Sequence, residues 1–218
     1  MSSTAPARQR NPRGQGGLLR DSIVSAAAEL LEETGNEDAV SLRAVARRVG
    51  ITAPAIYGHF ADREAILAAV VADAFVDLRD AVSTSGDAQA DPVKRMQSTC
   101  AAYLAFAQER PGRYGLLFNR RRLHSAGIPR AASVREMVGA EAFGTLIDGI
   151  EACVAAGRST STDPVNDATQ VWIGLHGYAT LRTSVPYFPW SPQERIIDDL
   201  LRRAGFIDIP EAHPPEIR

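Results

Sequence analysis

The chain has 218 residues, enough for one large domain or a small domain joined to a larger one, and its 45% hydrophobic content excludes a disordered chain. No apolar run reaches the roughly 18 residues of a membrane span, and the N-terminus lacks the apolar segment of a secretory signal. A formal net charge of −2 excludes a uniformly basic surface but not a local basic contact, because distribution rather than sum decides binding to a polyanion.

Residues 1–17 read as a flexible basic arm. Arg8, Arg10 and Arg13, with Arg20 just beyond, occur among the first twenty residues without a single acid, so the remainder is net acidic. Such an arm suits either a localised polyanion contact or simple solubilisation. From residue 18 a helical pattern begins, with Leu19, Ile23, Ala26, Ala27, Leu30 and Leu31 on one face and Gly35 where a left-handed cap belongs.

The stretch SLRAVARRVGITAPAIYGHF follows. Ser41 is an N-cap, Val40 and Val45 form a hydrophobic staple, and Leu42, Val45, Ala46 and Val49 make the buried face of a two-turn helix stopped by Gly50. Thr52 is a second N-cap, Ile51 and Ile56 a second staple, and Pro54 falls in a first turn, where its missing N–H costs little. Two short stapled helices separated by about three residues have the spacing of a helix-turn-helix.

Asp62 caps a longer helix with the stripe Leu67, Val71, Phe75, Leu78 and Val82, which fades at STSGDAQADP, the clearest boundary in the chain. Beyond it, helices are predicted over 92–109, in a short piece around Tyr114 to Phe118, over about 132–156 and over 164–184. Ser191-Pro192-Gln193-Glu194 reads as a capping box opening a last helix with Ile196, Ile197, Leu200 and Leu201. Cys100 and Cys153 lie in apolar helical contexts without motif spacing, so free buried thiols and a cytoplasmic setting are expected. No segment alternates with period two. The fold class is all-α, divided into the arm at 1–17, a helix-turn-helix domain at 18–65, a helical ligand-binding and dimerisation domain at 66–210, and a tail at 211–218.

With these elements placed, the segment from about 18 to 66 resembles the DNA-binding domain of the TetR family of bacterial regulators. The matching residues are Ser41-Leu42-Arg43-Ala44-Val45-Ala46, the Gly50-Ile51 turn, Tyr57-Gly58-His59-Phe60 and Arg63, each correctly spaced relative to the others. Trp172, His176 and Gly177 are similar to a tryptophan, histidine and glycine signature in one class of TetR-type C-terminal domains. The resemblance implies a cytoplasmic homodimer on a palindromic double-stranded DNA operator, acting as a repressor that a small-molecule effector releases. An activator of the same fold, or a helical interaction protein with a degenerate helix-turn-helix, are the alternatives. Neither an enzyme nor a cofactor or metal is expected, since the four histidines have no metal-ligand spacing and no phosphate loop or nucleophile elbow appears.

The second helix of such a motif enters the major groove, which makes Thr52, Ala53, Pro54 and Ala55 the base-facing positions. Tyr57, His59, Arg63 and Arg43 are, by the resemblance, contacts to the phosphate backbone. Alanine can touch only a thymine methyl, so direct readout is expected to be thin, with Arg8, Arg10 or Arg13 in a minor groove and DNA shape supplying the rest. An apolar effector would meet Tyr103, Phe106, Phe118, Met137, Phe143, Trp172, His176 and Tyr178, although each aromatic could equally be core. The last two helices are the expected dimer face, and the helix from about 62 to 82 is the expected route between the two sites.

Overall fold

Helices form where the apolar periodicity lies, and the computed structural model describes residues 16–118 and 139–210. In chain order they are α1 (Gly16–Thr34), a 3₁₀ turn (Glu37–Ala39), α2 (Leu42–Val49), α3 (Ala53–Ile56) and α4 (Arg63–Asp87). Then come α5 (Pro92–Glu109), α6 (Pro111–Leu117), α7 (Ala140–Ala155), α8 (Pro164–Ser184) and α9 (Gln193–Arg203). Among the described residues the only extended pairing is a single antiparallel bridge between Ser159 and Ile207, so the architecture is all-α. No helix there is long and apolar enough to cross a membrane. The arm residues Arg8, Arg10 and Arg13, the candidate Met137 and the tail at 211–218 lie outside the described residues.

Local chemistry explains the N-terminal unit. Ser41 Oγ accepts from the Ala44 amide at 3.2 Å, and the stapling residues Val40 and Val45 are both fully buried. At the other end of α2, Gly50 adopts φ 77°, a left-handed conformation open to glycine. The Ile51 amide then reaches back to the Ala46 carbonyl at 2.9 Å, closing a Schellman turn. This turn sets the angle between α2 and α3. Ile56 and Phe60 are buried beneath it and join α3 to the core that α1 and α4 share.

α4 is the spine of the molecule. It packs against α1 in the N-terminal unit and against α5, α6 and α7 beyond it, burying Ile66, Leu67, Val70, Val71, Ala74, Leu78 and Val82. The first half of the stretch expected to be a boundary, residues 83–87, is instead the end of this helix, which runs on to Asp87. Its small polar residues serve close packing: Gly86 is buried, and Ser85 Oγ donates to the Ser98 carbonyl of α5 at 3.2 Å. Only Ala88 to Asp91 link α4 to α5, where Asp91 accepts from the Lys94 amide at 2.9 Å as the N-cap.

Two capping expectations need correction. Thr52 has N-cap backbone angles, but its side chain makes no capping hydrogen bond, and α3 is a single turn that ends before Tyr57. The 191–194 capping box does not form either. Pro192 itself occupies the N-cap position of α9, leaving Ser191 one residue too early to bond the first helical amides. Cys100 and Cys153 are buried free thiols, and burial pushes them up to about 12 and about 11.

Candidate functional site

The first candidate surface is built by α2 and α3. Thr52, Pro54, Ala55 and Gly58 are exposed, while Ala53 is half-buried against the core. Tyr57 is 61% exposed although the hydrophobic core lies one residue away at Ile56 and three away at Phe60. A tyrosine held outward on a turn contributes little to folding and leaves its ring and hydroxyl open to solvent. His59 is half-buried beside it, its amide bonded to the Ile56 carbonyl at 2.8 Å. Arg43 on α2 is exposed and makes no ion pair among the described residues, and Arg47, one turn on, shares both properties. Arg47 was missed in the sequence because the family pattern gives that position no role; the i, i+4 spacing from Arg43 was the available signal.

Arg63 is placed differently from the other members of this set. Its Nε donates to the Val40 carbonyl at 2.7 Å, Nη2 donates to the Glu37 carbonyl, and Nη1 donates to Glu64 at 3.1 Å. Asp38 lies 3.6 Å from the same guanidinium, which is 25% exposed. The fork therefore fastens the 3₁₀ turn between α1 and α2 to the start of α4. A phosphate would have to compete with three acceptors already in place.

The second candidate site lies in the C-terminal unit, where Tyr103 of α5, Tyr114 of α6, Phe118, Phe143 of α7, and Trp172 and His176 of α8 converge. Trp172 Nε1 donates to Tyr103 Oη at 3.2 Å, the Tyr103 and Tyr114 hydroxyls are 3.0 Å apart, and Tyr114 Oη lies 2.7 Å from His176 Nδ1. Phe118 meets His176 edge-on at 4.4 Å between centroids, and Phe143 meets Trp172 at 5.9 Å. Burial drives the Tyr103 phenol well above its ordinary range and the Tyr114 phenol up to about 12, and it lowers the His176 imidazole below its usual 6.5. All three shifts favour the neutral form of the group.

Of the residues expected at an effector site, the structure brings together Tyr103, Phe118, Phe143, Trp172 and His176. Phe106 stacks under the Arg110 guanidinium, and Tyr178 packs edge-on to Trp190 at 5.4 Å, away from the cluster. Tyr114 belongs to the cluster and was missed: it sits on a helix of one or two turns, too short for periodicity to assign a face. Among the described residues no group of three histidine, cysteine or carboxylate side chains is arranged to hold a metal ion.

A carboxylate joins the two units. Glu32 of α1 accepts from the Gly112 amide at 3.0 Å and the Arg113 amide at 2.9 Å, satisfying the first turn of α6. A Cβ at Gly112 would come within 2.9 Å of the Leu31 carbonyl oxygen, so the approach requires glycine. Arg113 in turn pairs with Asp73 at 3.5 Å and with Asp77 of α4. One short helix thus touches the N-terminal unit at its start and the aromatic cluster through Tyr114.

Comparison with known proteins agrees with this arrangement. Residues 23–70 match the family described as bacterial regulatory proteins of the tetR family, and residues 96–204, half of the chain, match the tetracyclin repressor-like C-terminal domain. The chain is 31% identical over 132 residues to the HTH-type transcriptional regulator Rv1816 of Mycobacterium tuberculosis, covering 58% of this chain and 53% of that protein. It is 27% identical over 112 residues to the nucleoid occlusion factor SlmA of Aliivibrio fischeri, covering 49% and 57%. The matched region thus spans little more than half the length of these curated relatives. In fold it is similar to a protein of unknown function from Rhodococcus sp. RHA1, with a TM-score of 0.72, 23% identity and coverage of 90% of this chain and 97% of that one. A TetR family transcription regulator from Marinobacter aquaeolei VT8 follows with a TM-score of 0.62 at 16% identity, covering 89% and 97%. With both its DNA-binding and its C-terminal domain matched, the chain belongs to the TetR family of bacterial regulatory proteins.

Proposed function

We propose that the chain is a sequence-specific DNA-binding transcriptional regulator, a homodimeric repressor released from a palindromic operator by a small apolar effector. The observation that carries this reading is the outward set on α2 and α3: exposed Tyr57 and Arg43 flanking small residues at Thr52, Ala53, Pro54 and Ala55. A turn whose core-facing residues are stapled and whose opposite face carries an unpaired cation and a solvent-facing phenol suits contact with phosphate and base edges. His59 adds a hydrogen-bonding imidazole at the edge of that surface. Arg63 acts through the turn it holds rather than by touching phosphate.

Dimerisation is supported by α8. Val165, Thr169, Ile173, Gly177 and Leu181 form one ridge at i+4 spacing, and Ile173 and Leu181 are 55% and 49% exposed. Ridges of this kind pack on their symmetry mates at about −50°. The effector site is the aromatic cluster around Trp172 and His176. Effector binding reaches the DNA-binding unit along α4 and through α6, whose start is tied to Glu32 of α1; the ligand need only favour one of two dimer shapes.

Selection of bound sequences from a random double-stranded DNA library, at two salt concentrations, tests this reading. Recovery of one palindrome is expected. Recovery of no motif, with binding that vanishes as salt rises, would leave only non-specific phosphate contact and defeat the proposal.

A further inference from the structure

The hydrogen bonds of the aromatic cluster run in one direction. An indole nitrogen can only donate, so Tyr103 Oη accepts from Trp172 and must send its own proton elsewhere. The remaining partner of Tyr103 is Tyr114, whose hydroxyl meets His176 Nδ1 at 2.7 Å and also has the Thr180 side chain as a neighbour. Tyr103 therefore donates to Tyr114; with Thr180 also on the donating side, the Tyr114 proton goes to His176 Nδ1, its short 2.7 Å partner. The reverse order would leave the Tyr103 hydroxyl proton without an acceptor inside the core, where an unmade hydrogen bond is expensive.

With Nδ1 accepting, His176 is the neutral tautomer carrying its proton on Nε2. No described residue accepts from Nε2. No buried side-chain nitrogen or oxygen among the described residues lacks a partner, so this nitrogen is not sealed in the core. Phe118 and Trp172 flank the imidazole, and Phe143 packs on Trp172 behind it. Among the described residues, none of the hydrogen bonds or ring contacts of these side chains involves a formally charged group.

From this geometry we infer that the effector is a planar, uncharged molecule whose carbonyl-type oxygen accepts the His176 Nε2 proton while its ring lies against Phe118 and Trp172. The inference rests on the effector site proposed above and narrows it to one chemical class. A carboxylate is disfavoured because the site offers a single neutral donor and no countercharge among these contacts. A hydrocarbon is disfavoured because it would cover Nε2 without satisfying it. Trp172, Tyr103 and Tyr114 are positioning residues: they fix which imidazole nitrogen holds the proton.

The test uses the full-length protein with imidazole-¹⁵N histidine and a panel of one- and two-ring aromatic compounds. Each ketone in the panel is paired with its methylene analogue and its carboxylate analogue. The free protein is expected to show His176 as the Nε2–H tautomer, and ketones are expected to shift Nε2 and quench Trp172 fluorescence. Methylene partners should bind roughly 3- to 10-fold more weakly, the worth of one neutral hydrogen bond. Tyr114→Phe should mix the tautomers and shrink that preference. His176→Phe should abolish it, and His176→Gln, which can donate from a similar place, should restore part of it. An Nδ1–H tautomer in the free protein, equal binding of ketone and methylene partners, preference for carboxylates, or no panel member reaching Nε2 would each overturn the inference. These readouts need no DNA, so failure to find an operator would sink the regulatory reading while leaving this result standing.

Discussion

Arg63 and His176 show how a side chain's partners decide its work. The Arg63 guanidinium spends its donors on the Val40 and Glu37 carbonyls and on Glu64, which makes it a fastener of the α1–α2 connection. Arg63→Ala is therefore expected to cost about 2 kcal/mol of folding stability, measured by urea unfolding, and Arg63→Lys should recover little because an ammonium cannot fork between carbonyls. Unchanged stability with weaker DNA binding would return Arg63 to the phosphate-contacting set.

His176 links stability to pH. Burial lowers its folded pKa below the 6.5 of the unfolded chain, so between those two values the unfolded state binds the proton and the folded state does not. Stability from this group is complete above about 6.5 and falls as pH drops through that window. Chemical denaturation from pH 7.5 to 5 should show that loss, and His176→Gln should remove its own share of the slope. An identical pH profile in the variant would contradict a neutral, desolvated imidazole.

At the scale of elements, α6 carries the most consequence for its length. Glu32→Ala removes the acceptor for the Gly112 and Arg113 amides and should cost about 1 kcal/mol, the usual worth of a helix cap, with faster hydrogen exchange at those two amides. Exchange unchanged at Gly112 and Arg113 would mean that the joint is not held by Glu32. The helix-turn-helix was legible in the sequence because its signals are local: a cap at Ser41, staples at Val40 and Val45, and a positive-φ glycine at Gly50 each act within six residues. The ranges 92–109 and 164–184 were legible for the same reason, bounded by aspartate caps and prolines. What stayed hidden depends on contacts across the chain. Ser85 and Gly86 look like a linker until α5 is packed against them. Tyr114 looks like a stray aromatic until its hydroxyl meets residues 11 and 62 positions away. The carbonyls that Arg63 holds belong to residues 23 and 26 positions away, which no local signal marks.

For the whole molecule, α4 packs against helices of both units, and in the proposed dimer a tilt of α4 would change the spacing between the two α2–α3 surfaces. Ile173→Glu places a charge in the middle of the exposed α8 ridge. It should halve the mass found by light scattering at micromolar concentration while leaving helicity intact, and it should weaken operator binding because joined half-sites become separate ones. A dimer of unchanged mass would move the interface off α8.

The most direct measurement of the central claim is the salt dependence of binding to a selected operator duplex, by fluorescence anisotropy, for the wild-type chain and for Arg43→Ala. The outward α2–α3 surface predicts a steep fall of log K with log salt, and a slope shallower by about 0.9 for each phosphate contact that the variant loses. Equal slopes and equal affinities for the two proteins would mean that this surface does not meet the DNA backbone.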